Sequence, residues 1–139
     1  MLDPGDKFFV ANSDEIREVD LYAMRRFHED RGADATVCLA KSGDSRLFGA
    51  VRLEGHRVAE FTEKPKSGIP VPGLVNAGLY LFQPRVLDFI PNAGNPMLEK
   101  AVFPQLARCG RLFGFLPGGR WLAINSLEDF ERAEKALRS

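Results

Sequence analysis

The sequence predicts an α/β domain. Short apolar runs of strand length (residues 8–11, 36–40, 74–82 and 121–124) alternate with stretches of helical period at 21–28 and 98–106. Several of the runs stop abruptly in polar residues, as strands do when their carboxyl ends deliver side chains into a cleft. Composition agrees with a folded domain. Of 139 residues, 45% are hydrophobic and 27% charged, enough for one sizeable core and too few residues for two comfortable ones. We therefore expect one domain over residues 1–139.

In chain order, Asp3-Pro4-Gly5-Asp6 is a turn-forming leader. Residues 8–14, Phe-Phe-Val-Ala-Asn-Ser-Asp, read as a buried, parallel-type strand ending in a carboxylate. A polar stretch follows, and Asp20 is a plausible N-cap for a helix carrying Leu21, Met24, Phe27 and His28, stopped by Gly32. Residues 36–40 complete a strand–helix–strand unit of the kind that builds a parallel sheet. Residues 47–53 and 57–62 predict a hairpin turning at Glu54-Gly55-His56. The prolines and glycines of residues 64–73 predict an irregular loop. Residues 74–82 resume as a strand, and Gly78 inside it marks a bulge or a close backbone approach. A short helix over 84–90 precedes a longer one with Leu98, Val102, Phe103 and Leu106 on one face. Two short strands at 112–116 and 121–124 look joined by a hairpin turn, Pro117-Gly118-Gly119-Arg120. Ser126-Leu127-Glu128-Asp129 resembles a capping box opening a helix whose Phe130, Ala133 and Leu137 should face inward.

Charge and cysteine usage exclude several function classes. Nineteen basic residues balance nineteen acidic ones, so no global field argues for nucleic acid or an anionic membrane. No apolar run approaches the length of a membrane span, and no signal peptide is evident. Cys38 and Cys109 belong to no CxxC and have no His/Cys cluster nearby, so they read as reduced structural thiols, and a cytoplasmic protein is expected.

Three polar interruptions of apolar strands stand out: Asn12-Ser13-Asp14, Glu63-Lys64-Pro65 and Asn76-Ala77-Gly78. Taken singly, each also reads as an ordinary turn or a surface ion pair. A strand exit of Glu-Lys-Pro sets an anion beside a cation, suited to accepting bonds from hydroxyls and meeting a phosphate.

With residues 28–32 (His to Gly) and 121–129 (Trp to Asp), these motifs in this order resemble the sugar-nucleotidyltransferases, the NDP-sugar pyrophosphorylases acting on glucose, mannose and heptose 1-phosphates. The family's members carry Asn-Gly-Asp, a His-x-x-x-Gly-type turn, Glu-Lys-Pro, Asn-Ala-Gly and Trp-x-Asp-x-Gly-Thr. The resemblance covers nearly the whole chain. It implies a Rossmann-like, GT-A type nucleotidyltransferase fold, a mixed sheet flanked by helices, here N-terminally truncated. It implies the reaction of an NTP with a sugar 1-phosphate to give an NDP-sugar and pyrophosphate. Asp14 would be the catalytic residue and would hold Mg²⁺, while Asn12, Glu63, Lys64, Asn76 and Gly78 would bind the sugar phosphate. A hard cation suits a reaction that brings two anionic phosphates together.

The sequence departs from the pattern at three points. The Gly-x-Gly-Thr-Arg-Leu loop that cradles the triphosphate is not in it. Ala123 occupies the position of the second metal-binding Asp, and Ser13 replaces a glycine. The expectation is therefore a chain that retains the sugar-phosphate half-site and is poorly active or inactive alone. The alternative is a non-catalytic regulatory or partner-binding module. Sugar 1-phosphate and NTP are the expected ligands, and a second copy or partner chain is expected to pair along the edge formed by residues 8–12.

Overall fold

The computed structural model describes residues 3, 5–62 and 68–139. Its strands are β1 (Phe8–Ala11), β2 (Glu15–Arg17), β3 (Ala35–Ser42), β4 (Ala50–Glu54), β5 (Arg57–Thr62), β6 (Gly73–Phe82), β7 (Leu112–Phe115) and β8 (Trp121–Ala123). Its α-helices are α1 (Leu21–Asp30), α2 (Leu98–Ala101), α3 (Phe103–Arg108) and α4 (Leu127–Arg138), with 3₁₀ turns at Ser45–Leu47 and Pro84–Phe89. Six strands form one mixed sheet in the order β1-β6-β3-β7-β5-β4, and β2 and β8 form a separate antiparallel ribbon.

The sheet is buried on both faces because β3 and β6 are apolar on both. Val37, Leu39, Tyr80 and Phe82 pack with Val86, Phe103 and Leu106 on one side. Cys38, Ala40, Ala77, Leu79 and Leu81 pack with Met24 of α1 on the other, where Phe48 and Trp121 close the layer. Burial pushes the Cys38 thiol up to about 12, so it stays protonated and serves as a small apolar residue. Asp20 caps α1 by accepting from the Ala23 N–H at 3.0 Å. The helix ends in a Schellman arrangement, with Gly32 N–H on Glu29 O and Ala33 N–H on His28 O.

His28 is fully buried, its Nδ1 2.8 Å from Thr36 Oγ1 on β3. Burial of the imidazole holds it down at about 4, so it is neutral at physiological pH.

Four local expectations change in three dimensions. Strand β1 is neither parallel nor buried: it pairs antiparallel with β6 at the sheet edge, and Phe9 remains 39% exposed. It does run in the same direction as β3, with β6 inserted between them, so the strand–helix–strand unit holds while its strands are not neighbours. The helix expected over residues 98–106 breaks at Val102, because Pro104 has no N–H to give Lys100 and its ring crowds that carbonyl. Strands β7 and β8 make no hairpin. The first lies in the main sheet between β3 and β5, the second pairs with β2, and Pro117–Arg120 is the crossover between them. In α4 only Ala133 is buried, whereas Phe130 and Leu137 are 52% and 49% exposed. That helix touches little besides β8, so its apolar stripe has no layer to enter.

The expected 54–56 hairpin forms between β4 and β5. The bulge expected at Gly78 is also present, as a register shift between β3 and β6. Ser126 caps α4 by accepting from Asp129 N–H, but the Asp129 carboxylate reaches back to Asn125 N–H, one residue beyond a regular capping box. No helix among the described residues is long and apolar enough to cross a membrane.

Candidate functional site

The end of β1 opens into a cleft of about 660 Å³ lined by Ala11, Asn12, Ser13, Asp14, Tyr80, Met97, Leu98 and Glu99. Two of the predicted residues, Asn12 and Asp14, line it directly. Asn76 lies just behind, 9% exposed, and donates its Nδ2 to Tyr80 Oη at 2.9 Å and to Glu99 Oε1 at 3.4 Å. Its Oδ1 accepts from the Gly78 N–H at 2.8 Å. One amide thus joins the β6 bulge, a buried phenol and a carboxylate at the wall of the cleft. Burial of Tyr80 pushes its hydroxyl well above the ordinary phenol range, so it remains a neutral donor and acceptor. Glu63 and Lys64 lie outside the described residues.

Gly78 has φ +70°, a left-handed conformation that costs an L side chain about 1–2 kcal/mol. The space above it is filled from within the chain. A Cβ built on Gly78 overlaps Glu15 Oε2 and stands 2.7 Å from Asn12 Nδ2. The close approach expected at this glycine is therefore made by the Glu15 carboxylate. The Asn12 N–H completes the joint, donating to Gly78 O at 2.7 Å.

Glu15 belongs to a group that the motifs gave no hint of. Its Oε2 accepts from Asn12 Nδ2 at 3.2 Å and from Arg17 Nη2 at 3.3 Å. Both members of the Glu15–Arg17 pair are only 11% exposed. Arg17 also donates Nε–H to Ala77 O at 2.8 Å and Nη2–H to Asn12 O at 3.1 Å, tying β2 to the β6 bulge and the end of β1. Burial raises the Glu15 carboxyl above its ordinary value, against the lowering effects of Asn12 and Arg17. The alternation Glu15-Ile16-Arg17 is the one sequence signal that could have found this pair, since it puts two opposite charges on one face of a strand. Tyr80 and Glu99 were equally hidden, the first as a strand hydrophobe and the second as a helix-surface acid.

The β2–β8 ribbon decides whether a metal fits. Its register sets Glu15 opposite Ala123 and Arg17 opposite Trp121, and Ile124 N–H donates to Asp14 O at 2.8 Å. The position of the second expected ligand therefore does lie beside Asp14, and it carries a methyl group. Of the other carboxylates nearby, Glu15 is committed to a guanidinium and an amide, and Glu99, which lines the same cleft, accepts from Asn76. Among the described residues no group of three or more His, Cys, Asp or Glu side chains could hold a metal ion. The residues present do not fit a two-carboxylate Mg²⁺ centre.

Comparison with known proteins bears on the family and the fold. The family model described as nucleotidyl transferase matches residues 1–139. A probable mannose-1-phosphate guanylyltransferase 1 of Oryza sativa subsp. japonica is 38% identical over 128 residues, covering 91% of this chain and 35% of that protein. The mannose-1-phosphate guanylyltransferase of Mycobacterium tuberculosis is 35% identical over 136 residues, covering 96% of this chain and 37% of that one. Among solved structures, a putative glucose-1-phosphate thymidylyltransferase from Bacillus anthracis, in complex with a sucrose, superposes with a TM-score of 0.81 at 21% identity, over 98% of this chain and 56% of that one. HddC from Yersinia pseudotuberculosis gives 0.76 at 21% identity, over 94% and 55%. The chain thus spans little more than a third of the length of those curated relatives and just over half of those solved chains. The structural likeness carries the mixed-sheet, GT-A-like nucleotidyltransferase fold.

Proposed function

The chain belongs to the nucleotidyl transferase family, and on that premise we propose that it carries the sugar 1-phosphate half of an NDP-sugar-forming site. The observation that carries this reading is the cleft wall in which Asn76 Nδ2 bridges Tyr80 Oη and Glu99 Oε1, beside Asn12 and Asp14. A phenol, an amide and carboxylates converging on one concave surface match a ligand with many hydroxyls, each able to donate and accept. Lys64, with Glu63, is assigned to the phosphate and the neighbouring hydroxyls on the sequence motif alone. The names of the relatives favour mannose 1-phosphate as the first ligand to try.

Asp14 is the position we assign to nucleotidyl transfer. With a methyl group at Ala123 and no Gly-rich phosphate loop in these 139 residues, this chain alone binds and does not turn over. The test is titration of the 139-residue protein with mannose 1-phosphate, followed by amide chemical shifts. Saturable shifts at residues 12–14, 76–80 and 99 are expected, lost or weakened in Asn76→Ala. Absence of any shift at saturating ligand overturns the reading. Release of pyrophosphate from GTP and mannose 1-phosphate by this chain overturns its inactivity.

A second reading, a regulatory or partner-binding module, is favoured by the edge of the sheet. Among the described residues β1 pairs only with β6, leaving its outer backbone groups open beside a half-exposed Phe9. Open apolar edges recruit further strands. A second copy or a partner chain pairing there predicts association by light scattering, and a strict monomer at high concentration refutes it. A cytoplasmic location is part of the same proposal.

A further inference from the structure

The expected metal and the charges present at the cleft disagree, and the disagreement has a consequence for binding. Mg²⁺ leans on one or two carboxylates together with substrate phosphates, keeping several waters. Here one of the two carboxylates is replaced by Ala123, and Glu15, which stands opposite it, already neutralises Arg17. The guanidinium is held in place by Ala77 O, Asn12 O and Glu15 Oε2, and its Nη1 donates to no group among the described residues. Arg17 does not itself line the cleft, but its Nη2 donates to the carbonyl of Asn12, which does. A fixed cation so placed repels a divalent ion and attracts a phosphate.

Resting on the sugar-phosphate reading above, we infer that Arg17 supplies a fixed positive charge to this site where a divalent cation is expected, and that the chain binds sugar 1-phosphate without metal. The Glu15 carboxylate is then the counter-charge that tempers it. This gives the two members of one ion pair opposite effects on phosphate affinity. Glu15→Gln keeps the size and an acceptor for Asn12 while leaving the guanidinium unneutralised, so affinity rises. Arg17→Gln leaves a carboxylate alone at the wall, so affinity falls. One unit charge roughly 12 Å from the phosphate, at an effective dielectric constant of about 20, corresponds to roughly a tenfold change in each direction. Arg17→Lys keeps the charge and loses the fork, and retains most of the affinity.

Two measurements on the 139-residue protein test this. In the first, Mn²⁺ alone is titrated and followed by solvent relaxation; no saturable site is expected. A saturable site that disappears in Asp14→Ala overturns the inference. In the second, mannose 1-phosphate is titrated by calorimetry in EDTA and in excess Mg²⁺, with circular dichroism confirming that each variant is folded. Equal affinity in the two buffers is expected, with Glu15→Gln tighter and Arg17→Gln weaker than the parent. Loss of affinity in EDTA, a shift of both variants in the same direction, or an Arg17→Lys that behaves as Arg17→Gln overturns it, since a purely structural pair would give the last two. If mannose 1-phosphate binds under no condition, the sugar-phosphate reading itself falls. The Mn²⁺ titration still decides whether a metal site exists.

Discussion

Replacing Gly78 by alanine tests the joint on which the site is built. Two costs follow from the structure. At φ +70° an L side chain gives up about 1–2 kcal/mol relative to glycine. The new Cβ also occupies the place of Glu15 Oε2 and crowds Asn12 Nδ2 at 2.7 Å, so the carboxylate must leave its hydrogen bonds with Asn12 and Arg17. Hydrogen bonds to a charged group contribute about 1.5–3 kcal/mol, which brings the expected loss to about 2.5–5 kcal/mol. A domain of this size has of order 5–15 kcal/mol in total, so the variant should fold with a clearly lowered urea midpoint and an unchanged slope.

The partition between the two costs is checked with Glu15→Ala. In that background the carboxylate is gone, and the glycine-to-alanine change should cost only the backbone share, about 1–2 kcal/mol. A coupling of about 2 kcal/mol between positions 15 and 78 is therefore expected. The reasoning fails if Gly78→Ala costs less than about 1 kcal/mol, or if it costs the same with and without Glu15.

Two further measurements probe elements that place the site. His28 is neutral and buried with its folded-state value at about 4, while an unfolded histidine takes up a proton near 6.5. Between those values the unfolded state binds more protons, so stability rises with pH, by up to about 1.4 kcal/mol per unit, and falls as pH drops from 6.5 towards 4. The difference between the parent and His28→Phe across that window isolates this slope from the carboxylates, and a flat difference refutes it. Ser126→Ala removes the acceptor for Asp129 N–H, and a loss of about 1 kcal/mol is expected. Hydrogen exchange should show it first in the opening turn of α4.

What was legible in the sequence was whatever is encoded within a few residues. The Asp20 cap, the Gly32 stop, the 54–56 hairpin and the Gly78 bulge each follow from local side-chain or backbone chemistry. Pairing partners are not local. The apolar run of β1 is compatible with a buried parallel strand, and only the arrival of β6, more than sixty residues later, makes it an antiparallel edge. The Pro-Gly-Gly-Arg segment has hairpin chemistry, yet β3 and β5 claim β7 while β2 claims β8. Likewise the α4 periodicity fixes an amphipathic helix but not the presence of a layer for Phe130 and Leu137. At the site, Asn12, Asp14 and Asn76 announced themselves by interrupting apolar strands. Tyr80 and Glu99 did not, because their roles depend on Asn76 reaching both across 4 and 23 residues of sequence.

The same non-locality bears on how the departures from the family pattern fit together. Taken alone, Ala123 looks like one lost ligand that one substitution would restore. The ribbon register makes that too simple. An aspartate at 123 would stand directly opposite Glu15 and would add a second carboxylate to a face with one guanidinium. Directly opposed like charges destabilise a strand pair, and the incoming carboxylate would compete with Glu15 for Arg17 rather than wait for a cation. Ala123, Glu15 and Arg17 are therefore best treated as one arrangement, in which the small neutral residue leaves the buried ion pair undisturbed. Rebuilding a two-carboxylate centre means changing positions 15, 17 and 123 together, and the fixed cation would be lost in doing so.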